Sequence, residues 1–86
     1  MHIPLILYGT YGCHLCEQAL GLFLAAGAQA RFELREVDIL DDPELEERYG
    51  VRIPVLRHPE SGQEIDGPFD NAELEQFLSR LLAASG

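Results

Sequence analysis

Two cysteines stand three positions apart in Cys13-His14-Leu15-Cys16, and they are the only cysteines of the 86-residue chain. A C-x-x-C pair serves thiol–disulfide exchange, metal ligation or, less readily in a chain with two cysteines and no secretory signal, an inert structural staple. Zinc requires four ligands, and His2, His14 and His58 are scattered without the regular spacing of a ligand set. A closed zinc site within one chain is therefore not encoded, although a dimer could pool two cysteine pairs. Redox exchange is the leading reading. A metal-binding module is the alternative, and a docking module with vestigial cysteines is a third.

The elements around the pair decide between these uses. Ile3 to Tyr8 is a short apolar run bounded by Gly9 and Gly12, the pattern of a buried strand. Leu15, Ala19, Leu22, Phe23 and Ala26 then recur at helical spacing, predicting a helix over 13–26 that Gly27 stops. Residues 31–39 alternate charged and apolar side chains as a second strand, which a right-handed crossover sets parallel to the first. Asp42-Pro43 caps a short helix to Tyr49, ended by Gly50. Residues 53–56 and 63–66 flank Pro59-Glu60-Ser61-Gly62 as a hairpin. Asp70 with Glu73 forms a capping box opening a last helix whose apolar face is Leu74, Phe77, Leu78, Leu81 and Leu82, with residues 83–86 expected to fray. The order is β-α-β-α-β-β-α, an α/β sandwich, and residues 1–86 read as one domain.

Cys13 thus falls where the first strand hands over to the first helix. Unpaired N–H groups and the positive dipole end stabilise an anion there, and cysteines so placed have pKa values of roughly 3.5–7.5. Cys16 lies one turn inward on the same face, with Cα atoms about 5–6 Å apart, inside the range a disulfide spans. Cys13 is the expected attacking thiolate and Cys16 the resolving thiol. A protonated His14 would favour the thiolate, or the ring is simply exposed on the first turn. Tyr11 either shapes a substrate cleft or packs as a lid. Glu17 reads as a first-turn acid more readily than as a proton shuttle.

Leu7-Tyr8-Gly9-Thr10-Tyr11-Gly12-Cys13-His14-Leu15-Cys16-Glu17 resembles the active-site start of bacterial glutaredoxin-like proteins of the thioredoxin-fold superfamily. Arg52-Ile53-Pro54-Val55 is similar to that family's cis-proline segment, and Asp66-Gly67-Pro68-Phe69-Asp70-Asn71 is placed like its glycine-containing loop and helix start. The resemblance covers residues 3–82. It implies a thioredoxin fold, a central four-stranded mixed sheet with helices on both faces, and thiol–disulfide oxidoreductase activity on a protein disulfide or a glutathione mixed disulfide. It further implies that Pro54 is cis, that the N–H and C=O of Ile53 bind substrate, and that the 66–71 loop, with Gly67 and Asp70, meets glutathione's γ-glutamyl end. Taken from the residues alone, Gly67 is most simply a turn glycine and Asp70 a helix cap. Tyr11, His14, Arg52, Ile53, Pro54, Gly67 and Asp70 are accordingly the candidate substrate-binding residues beside catalytic Cys13 and Cys16.

Glutathione-dependent members usually carry Pro-Tyr between the cysteines and a Lys three positions before the first, whereas His14-Leu15 and Thr10 stand here. Arg52 offers a replacement charge for a substrate carboxylate, or is a solvated cation. Glutathione is therefore a candidate co-substrate, no bound cofactor is expected, and the metal alternative includes a subunit-bridging iron–sulfur cluster, which some family members share.

Fifteen acidic residues against six basic ones give a net charge of -9. That disfavours nucleic acid and slows anionic small molecules, while suiting a protein partner with a basic face. No apolar run approaches the roughly 18 residues of a membrane span, and the apolar start lacks a basic region and ends at Gly9. A cytoplasmic monomer is the expectation.

Overall fold

The computed structural model describes residues 2–85. Strand β1 (Ile3–Gly9) leads to helix α1 (His14–Ala25), strand β2 (Phe32–Asp38), helix α2 (Pro43–Tyr49), the strands β3 (Val55–Arg57) and β4 (Glu64–Asp66), and helix α3 (Asn71–Ser85). The four strands form one sheet in the order β2-β1-β3-β4. β1 and β2 are parallel, as the crossover predicted, while β3 runs antiparallel to both β1 and β4. This is the mixed sheet that the resemblance implied.

Strand alternation divides the apolar residues between two layers. Leu5, Leu7, Phe32 and Leu56 leave one face and pack with Ala19 and Phe23 of α1 and Leu74, Phe77, Leu78 and Leu81 of α3. Tyr8 and Val55 leave the other face and meet Ile39 and Tyr49, with Leu45 of α2 at their edge. The helices therefore lie on both faces. No charged or polar residue is buried among those described.

Some local features depart from the expected elements: β3 begins at Val55 where a strand from Ile53 was expected, because the Ile53 N–H is taken by the Tyr49 carbonyl at the end of α2. Short 3₁₀ turns occupy Ala28–Ala30 and Ile39–Asp41, where Ala28 and Ile39 are buried and tie the strand ends to the core. Gly27 ends α1 as expected, in the left-handed region at φ 69° that glycine adopts without a Cβ penalty. Residues 83–85 continue α3 where fraying was expected, an extension that the strong helix formers Ala83 and Ala84 favour. Gly86 lies outside the described residues.

Candidate active site

The chain leaves β1 through a tight turn in which the Cys13 N–H donates to the Thr10 carbonyl at 3.2 Å, with Gly12 at φ 80°. That turn delivers Cys13 to the N-cap of α1, with extended backbone angles of -78° and 110°. Its Sγ accepts the Cys16 N–H at 3.2 Å, so the sulfur occupies the place that a serine or aspartate oxygen takes in an ordinary cap. Cys13 and Cys16 are joined as a disulfide, their Cα atoms 5.2 Å apart, as the one-turn spacing predicted. Cys13 is half-buried and Cys16 buried, so the first residue of the pair is the more accessible one.

A cleft of about 380 Å³ opens beside the disulfide, lined by Tyr11, Cys13, Cys16 and Glu17 and, on β2, by Glu36 and Asp38. The Tyr11 ring is 97% exposed, which removes the lid reading and leaves a side chain at the rim of the cleft. His14 and Leu15, between the cysteines, also face solvent.

Sheet register brings the other landmarks to the same end of the sheet. Gly9 pairs with Asp38 of β2, while Tyr8 pairs with Val55 and Val55 with Asp66. The next residue along each strand places Gly9, Pro54 and Gly67 in a row across the sheet, next to the turn that carries Cys13. The Ile53–Pro54 bond is cis, as the resemblance implied, and the Pro54 side chain is fully buried. The Gly67–Pro68 bond is cis as well, which nothing in the sequence indicated.

Gly67 is more than a turn residue. Its N–H donates to the Pro54 carbonyl at 2.6 Å, and a Cβ there would fall 2.5 Å from Pro54 Cδ and 2.9 Å from Pro54 O. Only glycine permits this approach. The Ile53 N–H donates to the Tyr49 carbonyl at 3.1 Å, closing the last turn of α2 together with the Arg52 N–H at 2.8 Å. The unmet carbonyls of a helix C-terminus claim nearby donors.

Arg52 is already engaged. Its Nε and Nη2 donate to the two Asp66 carboxylate oxygens at 3.0 and 2.8 Å, and Nη2 also reaches Glu64 at 2.6 Å. Arg57 and the Tyr49 hydroxyl each donate to the second Glu64 oxygen at 2.7 Å. Glu64 and Asp66 stand two residues apart and so share one face of β4. The Arg52 guanidinium lies 5.1 Å above the Tyr49 ring, which stacks on Tyr8 with centroids 4.3 Å apart. Burial by itself would raise the Glu64 carboxyl, but hydrogen bonds from Tyr49, Arg52 and Arg57 outweigh it and hold the pKa at about 2. Burial, then the bond to Glu64, raises the Tyr49 hydroxyl. Hydrogen bonds to Asp66 and Glu64 raise Arg52, and that to Glu64 raises Arg57. A substrate carboxylate would have to displace an existing ion pair to reach Arg52. Glu64 and Tyr49 were not singled out by sequence reasoning; the i, i+2 spacing of Glu64 and Asp66 was the available signal, but their partners depend on how the hairpin folds back.

Asp70 caps α3, its Oδ1 accepting the Glu73 N–H at 2.8 Å while Glu73 accepts the Asp70 N–H at 3.1 Å. The capping box is reciprocal, and buried Phe69 anchors the chain before it. Among the described residues no three His, Cys, Asp or Glu side chains converge as a metal-ligand group. No helix is long and apolar enough to cross a membrane, again among the described residues.

The mixed sheet, the C-x-x-C disulfide at a helix N-cap and the cis-proline opposite it define a thioredoxin-fold protein of redox type. Residues 4–79 match the glutaredoxin-like domain family (DUF836), and the chain belongs to it. It is 43% identical to protein XcR50 from X. campestris, whose X-ray structure superposes with a TM-score of 0.79 over 88% of this chain and 96% of that one. Protein Ne2328 from Nitrosomonas europaea is 28% identical, with a TM-score of 0.72 over 86% and 88% of the two chains. Thioredoxin 1 from Thermosipho africanus shares the fold at 14% identity, with a TM-score of 0.69 over 95% and 97%. No curated protein matches the chain significantly.

Proposed function

We propose that this protein is a thiol–disulfide oxidoreductase in which Cys13 attacks and Cys16 resolves. The observation that carries the reading is half-buried Cys13 at the N-cap of α1, its sulfur accepting a helix N–H and bonded to buried Cys16. Reduction of that bond leaves a Cys13 thiolate favoured by the same N–H and by the helix dipole. The thiolate attacks one sulfur of a substrate disulfide, and the other leaves as a thiolate that takes up a proton. Cys16 then gives up its proton and attacks Cys13 Sγ, which releases the second substrate thiol and closes the Cys13–Cys16 bond. The substrate gains two electrons and two protons, and a thiol reductant such as glutathione returns them to the enzyme. No bound cofactor enters the scheme.

A disulfide-bearing protein suits the site better than glutathione. Exposed Tyr11 and Leu15 lie beside the reactive pair, Glu17, Glu36 and Asp38 line the cleft, and Arg52 is balanced by two carboxylates. An extended substrate segment would run past Pro54 and use the Ile53 carbonyl, with Gly67 and Asp70 bounding that side. A monomer acting in the cytoplasm, where thiol reductants are abundant, is consistent with this chemistry.

Single-turnover assays with an insulin-type protein disulfide and with a glutathione mixed disulfide test the proposal. Cys13→Ser is expected to abolish both reactions and Cys16→Ser to accumulate a mixed disulfide on Cys13. A Cys13→Ser variant that keeps its activity, or a Cys16→Ser variant that forms no mixed disulfide on Cys13, would refute the assignment.

A further inference from the structure

Gly9 is buried at the end of β1, and its backbone does not require glycine, because it is absent from the positive-φ residues Gly12, Gly27 and Gly62. Space does. A Cβ at Gly9 would lie 2.9 Å from Cys16 Sγ and 3.2 Å from Cys16 Cβ, and it would meet nothing else within 4 Å outside its chain neighbours. The one group that needs this position empty is the resolving cysteine.

The two contacts differ in how they respond to oxidation. Cys16 Cβ is fixed by the helix backbone and stays where it is in either state. Cys16 Sγ is pinned in the disulfide by its covalent bond to Cys13, but as a free thiol it can turn about χ1, since two staggered wells are open to a helical side chain. A group at position 9 therefore crowds the disulfide more than the dithiol.

We propose that Gly9 is a positioning residue that stabilises the oxidised form: the space it leaves accepts the Cys16 sulfur in its bonded position, and so sets how reducing the pair is. The same space is used when Cys16 turns towards Cys13 to resolve a mixed disulfide. This inference rests on the redox reading of the pair.

Gly9→Ala is compared with wild type in glutathione buffers, where the Cys13–Cys16 bond takes up two electrons and two protons as two glutathione thiols become glutathione disulfide. The disulfide of the variant is expected to be about tenfold easier to reduce, equal to about 30 mV for two electrons. The midpoint of Cys13 alkylation against pH should stay at the wild-type value, because the helix N-terminus is untouched. Gly21→Ala, whose added Cβ meets nothing within 4 Å, should show the wild-type equilibrium.

An equilibrium constant within twofold of wild type, or an equal shift in Gly21→Ala, overturns the inference. An oxidised Gly9→Ala protein that fails to fold while its reduced form melts cooperatively supports it in extreme form. Failure of both forms that persists in a Cys16→Ala background overturns it, because the methyl would then clash independently of the sulfur. Wild-type protein without reversible dithiol–disulfide exchange would remove the proposed function and this inference together, and is seen before any variant is made.

Discussion

Replacing Glu64 with glutamine should change how stability depends on pH more than it changes the shape of the hairpin. The carboxylate accepts hydrogen bonds from Tyr49 at 2.7 Å, Arg52 at 2.6 Å and Arg57 at 2.7 Å. These hold its pKa at about 2 against an ordinary 4.5. A difference of roughly 2.5 units corresponds to at most about 3.4 kcal/mol. The Glu64 side chain is 19% exposed and its arginine partners 33% and 27%, so solvent screening brings the contribution to about 2 kcal/mol. Folding lowers this pKa, so the unfolded chain binds the proton more tightly. The stabilisation is therefore complete above about pH 4.5 and is lost as pH falls through about 2. Glu64→Gln should cost about 2 kcal/mol at pH 6, or about 8–16 °C in Tm for a domain of this size. Urea unfolding of both proteins between pH 2 and pH 7 is the assay, and the gap between the curves should shrink towards zero at the acid end. A gap that is constant with pH, or wild-type and variant curves of equal acid slope, would refute the charge-based account of this network.

Other perturbations probe separate parts of the molecule. Gly67→Ala places a Cβ against buried Pro54 and should destabilise by about 2 kcal/mol or more, read by chemical denaturation; a loss below about 0.5 kcal/mol would mean that the loop simply moves aside. Asp70→Ala removes the α3 cap and should cost about 1 kcal/mol, visible as a lower urea midpoint with unchanged slope. Phe77→Ala empties a fully buried site between α3 and the sheet and should cost about 3–5 kcal/mol, enough to threaten folding of so small a domain. Tyr11→Ala should leave Tm unchanged because the ring is solvent-exposed, while lowering kcat/KM for a protein disulfide; an unchanged kcat/KM would remove Tyr11 from the substrate surface.

Position along the chain made the reactive pair legible. Cys13 and Cys16 needed only a strand, a glycine-rich turn and a helical period after them to be read as a thiol at a helix N-terminus and its inward neighbour. Their 5.2 Å separation follows from helix geometry alone. The box at Asp70 and Glu73 was legible for the same reason, since both halves of the motif lie within one turn. Likewise Asp42-Pro43 and Gly50 marked α2 because caps and stops act on adjacent backbone groups.

What the amino-acid order determined by itself was thus local: element types, helix ends, the location of the sulfur pair and the alternation that sorts Leu5 and Leu7 from Tyr8 onto opposite faces. Beyond the parallel β1–β2 pairing that a right-handed crossover dictates, tertiary structure decided how distant segments meet. The register of β1, β3 and β4 sets Gly9, Pro54 and Gly67 at one sheet end and ties Arg52 to residues 12 and 14 positions later. The physical reason is range. A cap or a helical period is satisfied within a few residues, whereas ion pairs and close approaches across strands depend on the folding of the whole chain, which no short stretch of sequence specifies.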